Sequence, residues 1–189
     1  MGFRKSWINL LHRAATGAKK TRTLLTPVGV MIFGAFTALF VCAAFIVDRL
    51  LNLPRILPDG ARLIVSVPMI AVGFAVAALS VFHFMKEKGT PVPFNPPPKV
   101  VKTGPYRYVR NPMLTGVFLI LFGLGFGVNS FSLVVFFAPL YVLINLWELK
   151  KIEEPELMKR LGDEYIEYRR QTPMFIPGCR TKSIRSYYD

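Results

Sequence analysis

Two stretches of this chain hold the side chains that could grip a charged ligand or move a proton. The first runs Gly104-Pro105-Tyr106-Arg107-Tyr108-Val109-Arg110-Asn111-Pro112-Met113-Leu114-Thr115-Gly116. Its prolines stiffen the backbone, its glycines let it turn or approach a ligand closely, and its arginines and tyrosines are there to be presented. The second opens at Glu153-Glu154-Pro155 and continues through Leu157 and Leu161-Gly162 to Tyr165 and Tyr168. An arginine such as Arg110 pairs with a carboxylate in a forked geometry, and Glu153 or Glu154 answers an ammonium group or a pair of ribose hydroxyls. The two stretches together suit a water-soluble molecule that carries both signs of charge. Taken singly, each has a plainer reading: a basic loop against lipid headgroups, and a solvated helix face. His83 closes an apolar run and reads either as an interfacial residue or as a ligand contact. Cys42 and Cys179 lack the paired spacing of zinc sites or disulfide frameworks, so no metal is expected.

The elements that must position these residues are apolar. The chain has 189 residues, 52% of them hydrophobic, and a formal charge of +13, with a mean hydropathy of +0.40. That composition suits a bilayer better than water. So high a positive charge in a soluble protein would suggest nucleic acid. Here the cations fall between apolar runs, where they set topology, so no nucleic-acid partner is expected.

Residues 28–47 carry no charge and are long enough to span as a helix, and 63–85 give a second span interrupted by Pro68. Residues 113–128 and 133–147 are two further runs joined by Asn129-Ser130-Phe131-Ser132, a tight hairpin whose second arm continues toward Ile152. Gly123, Gly125 and Gly127 lie inside an apolar span with no strand before them, so Gly123 and Gly127 read as helix-packing residues and not as a nucleotide loop. The expected fold is all-α: a polytopic membrane bundle of about four spans with a helical C-terminal segment at the interface, in one domain covering 1–189. Within it, 1–26 form a basic segment with a short interfacial helix around Trp7, Ile8, Leu10 and Leu11. Residues 27–85 are the first two spans, 86–177 the core and 178–189 a loose tail. The myristoylation-like start is discounted, and the first apolar run is too long for a cleavable signal.

Cations cluster before the first span (Arg4, Lys5, Arg13, Lys19, Lys20, Arg22) and between the second and third (Lys86, Lys88, Lys99, Lys102, Arg107, Arg110), with none in the hairpin turn. This bias puts both termini and the two chemical stretches in the cytoplasm, with a bacterial inner membrane as the expected location. The prolines between Thr90 and Lys99 favour a stiff, extended connection. Pro155 should kink or end the long helix, and is acceptable in the first turn of a new one. Gly162 can cap that short helix.

In this order, the Arg110-Asn111-Pro112 and Glu153-Glu154-Pro155 stretches, with Tyr165, Tyr168 and Pro173 to Pro177, resemble the isoprenylcysteine carboxyl methyltransferase family. The likeness is strongest to its small bacterial members, which also resemble the phospholipid methyltransferases. It covers roughly residues 89–177. It implies a membrane enzyme that takes a methyl group from S-adenosylmethionine at the cytosolic face and passes it to a lipidic or membrane-borne acceptor. Carried over residue by residue, it implies Arg110, Asn111 and Glu154 as catalytic. Tyr106, Arg110, Asn111, Pro112, Glu153, Glu154 and Tyr165 would contact the cofactor, with Tyr106 and Tyr165 closing the pocket. Asn111 stands where the family commonly has histidine and Leu114 where it commonly has tyrosine, so an imidazole base at that position is excluded. Two alternatives remain at this point: a nicotinamide-dependent membrane reductase of the sterol type, and a non-catalytic membrane binding protein that kept the fold.

Overall fold

Every long apolar run becomes a helix, because a backbone in hydrocarbon must satisfy its own hydrogen bonds. The computed structural model describes residues 6, 8–9, 11–13, 16–90, 92 and 95–178. The expected tail beyond Gly178, Trp7 and Leu10 of the N-terminal segment, and Pro91, Pro93 and Phe94 lie outside the described residues. Helix α1 is Lys19–Leu51 and α2 is Asp59–Lys86. A single 3₁₀ turn, Gly104–Arg107, precedes α3, Pro112–Gly127. The rod α4, Leu133–Leu161, follows, and α5 is Asp163–Gln171. No strand occurs among the described residues. Three of these helices (α1, α2 and α4) are long and apolar enough to cross a bilayer, and α3 is a shorter apolar helix. The expectation of a membrane bundle is borne out.

Helices α2 and α3 touch backbone to backbone. A Cβ on Gly73 would lie 2.7 Å from the Gly116 carbonyl oxygen, and one on Gly116 would lie 2.5 Å from that of Gly73. Gly123 packs on Ile70 and Gly127 on Ser66, as their spacing predicts. On α2 the buried small residues Ser66, Gly73 and Ser80 recur every seven positions and form the seam. Helix α1 is held differently, by rings. Phe33, Phe36, Phe40 and Phe118 surround the fully buried Tyr141 of α4, whose hydroxyl lies 2.8 Å from Thr37 Oγ1.

The rod α4 is not uniform. Turns of π-helix occur at Leu133–Phe137 and Leu149–Glu153, with α-helix at Ala138–Glu148 and Glu154–Leu161. Pro155 therefore does not end the rod: it follows the widened turn, where its missing amide hydrogen and bulky ring are accommodated, and the helix runs on to Leu161. Gly162, at φ +58°, then separates α4 from α5.

Candidate active site

Arg110 and Glu154 meet. Arg110 Nη2 donates to Glu154 Oε1 at 2.6 Å, and both side chains are nearly excluded from solvent, at 9% and 4% exposure. Arg110 Nη1 donates to the carbonyl oxygens of Arg169 at 3.0 Å and Thr172 at 2.6 Å, so the guanidinium also caps the C-terminus of α5. Glu154 Oε2 lies 3.3 Å from Arg169 Nε. The Arg110 and Asn111 amides donate to the carbonyl oxygens of Pro173 and Met174. Two segments some forty residues apart are thus joined on one side of the bundle. Arg110 spends its terminal nitrogens on protein groups, and only its buried Nε lacks a partner. It acts as a clamp.

Asn111 is the N-cap of α3 without a side-chain cap bond, and Pro112 is buried at the helix start. Tyr106 is buried against Phe84, with ring centroids 4.8 Å apart, and Tyr168 Oη donates to the Tyr106 carbonyl at 2.6 Å. Tyr165 and Tyr168 pack with Val100, Leu157, Met158 and Leu161. Burial pushes the hydroxyls of Tyr106, Tyr165 and Tyr168 well above the usual phenol range, so all three stay protonated donors. His83 lies at the same end, 2.9 Å from Thr103 Oγ1 and packed against Gly104.

Glu153 points elsewhere. It lines a cavity of about 30 Å³ with Glu148, Glu156, Arg160, Leu157, Pro96 and Leu11. The π-turn explains this company. Residues five apart on an α-helix lie about 140° apart around the axis, whereas hydrogen bonding at i→i+5 stacks them, which brings Glu148 over Glu153. Glu156 and Arg160 then follow at helical spacing, paired at 3.0 Å. Arg160 Nη1 also holds the Pro97 carbonyl at 2.9 Å. Of the site residues expected from the sequence, Glu153 alone lines this cavity. Tyr106, Arg110, Glu154 and Tyr165 belong to the buried cluster beside it. Sequence reading missed Glu148, Glu156 and Arg160, which a count at five, three and four residues would have found. Among the described residues no cluster is suited to a metal. A second, open groove of about 490 Å³ runs between α1 and α3, lined by Phe33, Gly34, Thr37 and Val41 on one side and Val117, Ile120, Leu121 and Leu124 on the other.

Comparison with known proteins identifies the family. A sequence model described as "Phospholipid methyltransferase" matches residues 61–164, more than half of the chain. A protein of Crocosphaera subtropica named methanethiol S-methyltransferase is 30% identical over 101 residues, which cover 53% of this chain and 36% of that protein. This chain thus aligns with only about a third of its relative. No solved structure matches. The expected family is borne out: the chain belongs to the phospholipid methyltransferase family.

Proposed function

We propose that this membrane methyltransferase draws its methyl group from S-adenosylmethionine, held at the end of α4 beside Arg110 and Glu154, and transfers it to an apolar acceptor that reaches the site through the bilayer. One observation carries the reading: Glu148, Glu153, Glu156 and Arg160 converge on one cavity next to the Arg110–Glu154 clamp. Three carboxylates and one guanidinium match a ligand with a sulfonium, an ammonium and a carboxylate group. When bound, that cofactor supplies a methyl group already activated on sulfur. What remains for the protein is to hold the reactants in line.

Glu153 and its neighbours hold the cationic groups, and Arg160 the carboxylate. Arg110 keeps the α5 terminus and the Pro173–Met174 carbonyls in register with α3. Asn111 can donate and accept hydrogen bonds at the start of α3 but cannot take up a proton, so an acceptor that must be deprotonated relies on a carboxylate such as Glu153. An acceptor already ionised needs no base. The groove between α1 and α3 supports an apolar acceptor, since its lining is almost wholly apolar and it runs along the same helix that Asn111 caps. The name of the Crocosphaera relative favours a thiol. The cation bias supports a cytoplasmic site, with both termini on that side of a bacterial inner membrane.

Isothermal titration with S-adenosylhomocysteine tests this reading. The detergent-purified protein is expected to bind, and Glu153→Gln to weaken binding at least about tenfold, the usual loss for a hydrogen bond to a charged group. Thermal stabilisation by NADPH in place of S-adenosylhomocysteine would overturn it.

A further inference from the structure

The cavity bounded by the three glutamates holds about 30 Å³, whereas small-molecule sites usually measure roughly 300–1,000 Å³. What closes it is the N-terminal segment. Leu11 is 6% exposed and forms one wall, and His12 Nδ1 lies 3.5 Å from Glu156 Oε1. Asn9 Oδ1 accepts from Lys159 Nζ at 3.0 Å. Beside it Pro96 forms a second wall, held from α1 through Arg22 Nη2, which donates to the Pro96 carbonyl at 2.9 Å. These contacts are one apolar side chain and a few polar bonds, far weaker than the backbone contact of α2 with α3 or the Arg110–Glu154 pair.

We propose that the segment carrying Asn9, Leu11 and His12 is a hinged wall of the cofactor pocket, closed in this structure, which swings away from Glu153 and Glu156 to admit the ligand. The proposal rests on the S-adenosylmethionine reading above. It assigns the N-terminal segment a role at the site that its basic, amphipathic composition does not suggest. Affinity then depends on the fraction of molecules with the wall open, since the apparent dissociation constant is the intrinsic one divided by that fraction.

A reversible lock tests it. In a Cys42→Ser/Cys179→Ser background, Asn9→Cys and Lys159→Cys are joined by a short, reducible bis-methanethiosulfonate linker, and S-adenosylhomocysteine binding is measured by titration before and after reduction. Binding is expected in the unlinked protein, lost on linking and recovered on reduction, and the recovery shows that the fold survived. Equal binding with the link intact would overturn the hinged wall alone. No binding in the unlinked protein, with wild type equally silent, would overturn the cofactor reading and the wall with it. As a second measurement, Leu11→Ala is expected to speed ligand association roughly tenfold by raising the open fraction. An unchanged rate would count against the wall.

Discussion

At the hairpin end of the bundle, polar side chains turn inward and are used up. Asp48 accepts from Ser130 Oγ and from the Ser132 amide at 2.9 Å. Asn129 accepts from the amides of Ile56 and Leu57, both at 2.9 Å, and donates to the Leu57 carbonyl at 2.7 Å. At the opposite end the Arg110–Glu154 clamp is satisfied at every polar atom but the Arg110 Nε. One helical turn away, however, Glu148 and Glu153 line a small cavity with Glu156, Arg160 and the apolar Leu11, Pro96 and Leu157. Polar groups that close on each other hold a structure together, and polar groups gathered around a space are candidates for binding. The hairpin end is a fastening. The loop end is a fastening with a carboxylate-lined cavity beside it.

Three measurements bear on that contrast. Arg110→Ala should cost about 3–5 kcal/mol of stability, since it leaves the Glu154 carboxylate buried without its main partner, and adding Glu154→Gln should recover roughly half of the loss. Thermal unfolding in detergent would show both, and a cost below about 1 kcal/mol would mean that the clamp is a surface pair in practice. Asp48→Asn should cost about 1–3 kcal/mol and leave S-adenosylhomocysteine affinity untouched. A fall in affinity would make the hairpin end part of the function and dissolve the contrast. The smallest effect is on pH. Tyr106, Tyr165 and Tyr168 have hydroxyls raised by burial in the folded state, so above about pH 10 the unfolded chain ionises first and stability declines as pH rises. Tyrosinate absorbance should therefore rise together with loss of helicity at the loop end. Ionisation of all three with helicity intact would place them in water.

Much of this was legible in the residues. Charge-free runs gave the spans, Gly123 and Gly127 gave a helix seam, and the two motif stretches were expected to share one face, as Arg110 and Glu154 do. Three features were hidden. Gly73 and Gly116 are single small residues in separate spans, and nothing in either span says that they oppose each other. The turn Leu149–Glu153 departs from the α-helical period, and nothing in the residue types announces that departure or the company of Glu148 and Glu153. Pro155 signals a departure, but a proline alone does not say whether a helix bends, ends or widens. The closure by Leu11 and His12 joins residues some 140 positions apart in a segment whose composition also suits a membrane surface.

The way α1 is attached has a mechanical consequence. Its lower end is pinned where Asp48 holds Ser130 and Ser132, while its upper end bears Arg22, which grips the Pro96 carbonyl at the mouth of the cavity. From Asp48 to Arg22 the helix climbs about 39 Å at 1.5 Å per residue. Between those points Phe33, Phe36, Phe40 and Thr37 pack on Tyr141, so the first span acts as a strut that ties the hairpin to the rim of the cavity.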